Sequence, residues 1–198
     1  MKIIGVTGKS GSGKTTFAKL LAKKLNCEYV DIDKISHMTL KKPEIIRILC
    51  EKFGNEILDE SGNIDRKKMG NIVFSDEEKL NELMKITEAD AYKELDTILA
   101  NSNSNAIVLE WIKLPTIKYW QKCDSKILVK ADQEKRKERV IQRDNISEKY
   151  FEKRDSASIE YKEAEFNYIF ENDYNEQKME ETINMIISKI MEDEKLWN

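Results

Sequence analysis

Two prolines, seven glycines, three cysteines and one histidine in 198 residues leave several kinds of protein without raw material. Cys27, Cys50 and Cys123 are odd in number and lack metal-ligand spacing. That excludes a disulfide framework and a zinc module, and fits reduced thiols used in packing. His37 has no cysteine or histidine partner nearby, so it reads as a surface or packing residue. No apolar run approaches the ~18 residues of a membrane span, so no membrane partner is expected. A glycine motif beginning at Gly8 leaves no room ahead of it for a leader, and a cytoplasmic protein is expected. Basic residues number 34 against 37 acidic ones, a net charge of −3. Without a basic excess, nucleic acid is not an expected partner. Few helix breakers beside 36% charged residues predict a helix-rich chain with solvated helix faces.

What is present begins with Gly8-Lys9-Ser10-Gly11-Ser12-Gly13-Lys14-Thr15, which fits G-x-x-x-x-G-K-[ST]. Ahead of it, Ile3-Ile4-Gly5-Val6 reads as a buried strand. Behind it, Phe17, Ala18, Leu20, Leu21, Ala22 and Leu25 recur at helical spacing. A strand entering a glycine turn that opens a helix makes an anion site, because backbone N–H groups and the helix dipole converge there. Gly8, Ser10, Gly11, Ser12, Gly13, Lys14, Thr15 and Thr16 are therefore expected to bind ATP. Lys14 reaches the β- and γ-phosphates in this reading, and the Thr15 hydroxyl helps hold Mg²⁺.

Glu28-Tyr29-Val30-Asp31-Ile32-Asp33 reads as a second strand, parallel to the first because a helix joins them. In an extended segment Asp31 and Asp33 share a face, at the strand end that borders a ligand crevice. A carboxylate at Asp33 can take a proton from a substrate hydroxyl or orient Mg²⁺, and Asp also suits the N-cap of a helix over 34–40. Pro43 opens a helix that stops at Gly54, and Asp65 caps one over 66–74. A long acidic helix over 76–100 carries Leu80, Leu83, Ile86, Leu95, Ile98 and Leu99 on its apolar side.

Ala106-Ile107-Val108-Leu109-Glu110 has the form of a buried strand delivering a carboxylate beside the phosphate loop. Further strands are expected at 126–129 and 168–170, and a packing helix over 176–197. Alternating strands and helices predict an α/β fold of P-loop NTPase type: a doubly wound parallel sheet of about five strands, helices on both faces, and a helical lid. A single domain over 1–198 is expected, with an acceptor-binding helical insertion at about 34–100 and the lid at about 132–158. On the basic helix 132–143, Arg136, Arg139 and Arg143 are spaced to share one face. Arg139, Arg143 and the following Arg154 are candidates for clamping phosphates. Lys135 and Lys137 read as solvated partners of Glu134 and Glu138.

With these residues in view the chain resembles the dephospho-coenzyme A kinases. The resemblance rests on Ile4-Gly5-Val6-Thr7-Gly8 with the phosphate loop, and on Val30-Asp31-Ile32-Asp33-Lys34-Ile35. It extends through Phe53-Gly54, Glu56-Ile57-Leu58, Gly62, Ile64-Asp65-Arg66 and Val73-Phe74 to Arg139, Arg143-Asp144, Arg154 and Asn172. It implies ATP-dependent phosphorylation of the 3′-hydroxyl of dephospho-coenzyme A, with Asp33 as base and Lys14 and Thr15 gripping phosphate and Mg²⁺. Asp31, Arg66, Glu110 and Arg154 fall to the acceptor side, Arg139 and Asn172 to the nucleotide, and Arg143 to the reaction itself. The chain departs from the family pattern at Glu88-Ala89, where His-Pro is usual, and at Trp111-Ile112-Lys113-Leu114, where Pro-Leu-Leu follows the acid. Ser158 stands in place of a usual glutamine. Two other readings compete: a nucleoside or nucleoside-monophosphate kinase, and an ATP-binding switch without an acceptor. Asp33 and the lid arginines favour transfer over switching.

Overall fold

The computed structural model describes residues 1–73 and 76–195. Expectations that involve Phe74 and Trp197 lie outside these residues. Five parallel strands, β1 (Lys2–Thr7), β2 (Glu28–Asp31), β3 (Ala106–Glu110), β4 (Ser125–Lys130) and β5 (Tyr168–Glu171), form one sheet in the order β2-β3-β1-β4-β5. The described helices are α1 (Lys14–Leu25), α2 (Ile32–Thr39), α3 (Pro43–Phe53), α4 (Arg66–Val73), α5 (Glu77–Asn101), α6 (Gln133–Asp144), α7 (Glu148–Ser156) and α8 (Glu176–Lys195). From β1 the chain winds first to one side of the sheet and later to the other. The carboxyl end of β1 is therefore the switch point where α/β sheets open a crevice.

The chain divides into two compact units, one of residues 1–31 with 103 onward, the other Ile32–Ser102. In the sheet unit, alternate strand residues Ile4, Val6, Val108, Ile127, Val129 and Phe170 share a core with Phe17, Ala18, Leu21 and Ala22 of α1. Met179, Ile183, Ile186 and Ile190 of α8 complete that layer. Truncating one such residue, Leu21→Ala for instance, costs about 2–5 kcal/mol. On the opposite face of β1, a Cβ at Gly5 would lie 2.8 Å from Cys123 Sγ and 3.0 Å from the Trp120 ring. Only glycine lets the 114–123 segment close on the strand.

The helical unit has its own core of Ile45, Leu49, Phe53, Ile57, Met69 and Val73. Its helices begin where the capping signals lie. Pro43 is at the first turn of α3, Asp65 Oδ1 accepts from the amides of Lys67 and Lys68, and Asp76 accepts from those of Glu78 and Lys79.

One boundary differs from expectation, and it moves a site residue. β2 stops at Asp31 and α2 begins at Ile32, so Asp33 lies in the first turn of a helix. Asp31 and Asp33 do not share a strand face. The pairing of β2 with β3 ends at Asp31 opposite Glu110, where β3 itself ends, so residues beyond have no ladder partner. An acidic residue in a first turn is also favoured by the helix dipole.

Candidate nucleotide site

The phosphate loop leaves β1 at the switch point and enters α1 through Gly13, which is left-handed at φ 88°. A side chain at residue 13 would also collide with the amide of Asn172, so the position admits only glycine. Asn172 follows β5 and is 3% exposed. Its Nδ2 donates to the Ser12 carbonyl at 2.8 Å, and its Oδ1 accepts from the Tyr174 amide at 2.9 Å. Tyr174 donates its hydroxyl to the Gly11 carbonyl at 3.0 Å. The loop's inward-turned amides are thus fixed from behind by two residues that follow the last strand.

Four groups meet over the loop. Glu110, at the end of β3 and 3% exposed, accepts from the Thr15 hydroxyl and from the Tyr29 hydroxyl, each at 3.1 Å. Lys14 Nζ lies 3.7 Å from the other carboxylate oxygen. Burial raises the Glu110 carboxyl above the ordinary range, against the opposing pull of Lys14. Burial and the neighbouring carboxylates raise the Tyr29 phenol as well, so it remains a donor to Glu110. A hydroxyl and a carboxylate within hydrogen-bond reach of each other form a hard-oxygen set that suits Mg²⁺.

Beside this cluster opens a cavity of about 480 Å³, lined by Gly11, Gly13, Lys14, Thr15, Thr16, Arg139, Gln142 and Arg143. It joins the loop to α6. Arg139 stacks its guanidinium 4.4 Å above the Tyr174 ring. Arg143 makes a two-point contact with Asp144, at 2.6 and 2.9 Å, and Arg154 reaches the same carboxylate at 3.2 Å. Arg139 and Arg143 line one cavity, whereas Arg136, on the same predicted face, is buried with Asp155. Lys137 pairs with Glu134 as expected, but its second partner is Glu148 across the turn, not Glu138.

Ser12 Oγ is buried and has no hydrogen-bond partner among the described residues. It lines a second cavity, of about 290 Å³, with Lys9, Arg136, Glu160 and Tyr161. The hydroxyl of Tyr161 donates to the Ile112 carbonyl at 2.8 Å, and burial pushes its pKa up to about 12. Sequence reasoning missed Tyr29, Tyr161, Tyr174 and the Arg136–Asp155 pair. The helical spacing of Arg136 to Val140, and of Asp155 to Phe151, was the available signal, since both apolar partners are buried.

Asp33 and Arg66 belong to the helical unit. Asp33 Oδ2 lies 3.6 Å from His37 Nε2, one turn along α2, and both side chains are about half exposed. Of the departures from the family pattern, Trp111 and Leu114 are buried core residues of the sheet unit, and Glu88 accepts from the Tyr92 hydroxyl on α5. No helix among the described residues is long and apolar enough to cross a membrane.

The profile of the family described as dephospho-CoA kinase matches residues 2–178. A dephospho-CoA kinase of Aquifex aeolicus is 40% identical over 176 residues, covering 87% of this chain and 89% of the relative. Among solved structures, a Thermus thermophilus protein superposes with a TM-score of 0.81 at 25% identity, covering 95% of this chain and 97% of that one. The dephospho-CoA kinase of Campylobacter jejuni shares the fold, with a TM-score of 0.61, 24% identity and coverage of 96% and 97%. The match spans the phosphate loop, the Glu110 strand and the arginine helix together, and the chain belongs to the dephospho-CoA kinase family.

Proposed function

We propose that this protein transfers the γ-phosphoryl group of ATP to the 3′-hydroxyl of dephospho-coenzyme A. The observation that carries the reading is the convergence of Lys14, Thr15 and buried Glu110 over a phosphate loop, in a chain of this family. The loop amides and Lys14 hold the β- and γ-phosphates, with Gly8, Ser10 and Ser12 contributing to the cradle. Thr15 and Glu110 hold Mg²⁺, which when bound offsets charge on the phosphate oxygens. Arg139 and Arg143 approach the polyphosphate from α6, and Arg154 extends that basic edge. Bidentate guanidinium contacts suit the charge that spreads over the oxygens during transfer.

Asp33 is the proposed base. It stands two residues beyond β2, on the first turn of α2. A hydroxyl cannot be ionised beforehand by a carboxylate. Asp33 takes the proton as the bond to phosphorus forms, and it aligns the oxygen for in-line attack. Asp31 and Arg66 bind the acceptor. The Asp33–His37 contact is internal to α2. The protein acts in the cytoplasm, where ATP and a reduced acceptor thiol coexist.

The test is ADP release with Mg-ATP and a panel of dephospho-coenzyme A, nucleosides and nucleotides. Asp33→Asn should lower kcat by about 10²–10⁴-fold, with ATP affinity by calorimetry unchanged. Turnover by Asp33→Asn near the wild-type rate would leave Asp33 a helix-end residue. Release dependent on a nucleoside, but not on dephospho-coenzyme A, would reassign the acceptor.

A further inference from the structure

Arg136 is the one arginine of α6 that does not face the nucleotide cavity, and it is the best buried. Its guanidinium makes two parallel hydrogen bonds to Asp155 of α7, at 2.7 and 3.0 Å. The two side chains are only 6% and 9% exposed. The same Nη1 also donates to the Ser10 carbonyl in the phosphate loop, at 3.2 Å. Three separate pieces of backbone are thus joined through one planar group. The Phe151 ring lies 6.0 Å from the guanidinium carbon and closes the site from the α7 side.

Neighbouring contacts make the same connection. The α6 backbone at Arg136 is so close to the loop that a Cβ at residue 11 would lie 2.9 Å from the Arg136 carbonyl oxygen. Beyond α7, Glu160 pairs with Lys9 of the loop at 2.7 Å. Tyr161 and Thr7, the last residue of β1, join their hydroxyls at 3.2 Å. The end of α7 and the chain after it are therefore fastened to the start of the phosphate loop. The opposite end of α6 carries the exposed Arg143 beside the partly buried Asp144, whose carboxylate Arg154 of α7 also reaches.

A buried ion pair is a poor way to gain stability, because the desolvation cost consumes most of the attraction. What a rigid fork with a third acceptor gives is position. Arg139 and Arg143 lie about one and two turns beyond Arg136 on the same helix, roughly 4.5 and 10.5 Å along its axis. Whatever fixes Arg136 against Ser10 also fixes how far those arginines stand from the phosphates. We infer that Arg136, held by Asp155, is a positioning residue that sets the register between the phosphate loop and the arginines of α6. The inference rests on the reading that Arg139 and Arg143 contact ATP.

The experiment uses the full chain and Mg-ATP with dephospho-coenzyme A. Arg136→Met/Asp155→Leu removes both charges and keeps the volume apolar, so it should melt near the wild-type temperature. Its KM for ATP should nonetheless rise about tenfold, the scale of one lost charged hydrogen bond. Its kcat should fall less. Arg136→Lys, which keeps a cation near Ser10 but loses the fork, should lie between the two. Wild-type KM and kcat in Arg136→Met/Asp155→Leu would overturn the inference and leave a packing pair. If that variant shows no cooperative melt, Arg136→Lys decides alone, and wild-type KM in it overturns the inference. Arg139→Met/Arg143→Met tests the underlying reading separately: an unchanged KM there means those arginines do not contact ATP. Combining both pairs should raise KM by less than the product of the separate factors. A full product would mean that Arg136 does not act through α6, and would also overturn the inference.

Discussion

The helix pair α6–α7 holds two arginine–aspartate contacts of the same covalent chemistry at opposite ends. Arg136–Asp155 is bidentate at 2.7 and 3.0 Å, with side chains 6% and 9% exposed. Arg143–Asp144 is bidentate at 2.6 and 2.9 Å, with side chains 59% and 25% exposed. Distance does not separate them; solvent does. Water replaces either partner of the outer pair at little cost, so Arg143 can exchange a carboxylate for a phosphate. Nothing replaces the partners of the inner pair, so it behaves as a fixed joint.

The contrast is sharpest in stability. Arg136→Met alone strands the Asp155 carboxylate and should cost about 3–5 kcal/mol in a denaturant melt. A loss near that of a surface substitution would erase the distinction. Acid provides a second probe. The Arg136 guanidinium holds the Asp155 carboxyl below the usual carboxylate range, so Asp155 binds protons less readily folded than unfolded. Its contribution is complete above the unfolded pKa of about 3.9, and is lost as pH falls through the lower folded value. The stability gap between wild type and Asp155→Asn should be flat above about pH 5 and narrow below it. A gap that widened on acidification would contradict this sign.

The outer pair should respond weakly. Asp144→Asn should change stability by no more than about 0.2–1 kcal/mol, and less in high salt. Arg143→Lys should leave stability within about 0.5 kcal/mol. It should still raise KM for ATP, because lysine keeps the charge without the fork. Unchanged kcat and KM would remove Arg143 from the nucleotide site.

Sequence legibility follows the same division between local and tertiary causes. The phosphate loop, its strand and its helix were readable because glycine spacing, a β-branched run and helical periodicity are properties of neighbouring residues. The cap at Asp65 was readable for that reason too, whereas Asp76, read as part of the long helix, is its N-cap. The helical position of Asp33 was not, because what ends β2 is the end of β3, nearly eighty residues along the chain. Arg136 and Asp155 were hidden by their charge: a basic helix reads as solvated unless the apolar stripe on which the arginine stands is followed. The carboxylate of Glu110 was legible as a type, whereas the Tyr29 hydroxyl that holds it came only from strand pairing.

Asn172 gives the molecule a calendar. Its bond to the Ser12 carbonyl joins residues 160 positions apart, and its own place depends on β5 pairing with β4. During synthesis the glycine loop emerges some 160 residues before the amide that backs it. Until then the loop lacks its rear support from Asn172 and Tyr174. Contacts of such long separation are the slow ones in folding, since loop closure must precede them. The phosphate loop is thus finished only after β5 has been made and paired, and a loop backed from both residues marks a chain folded at least that far.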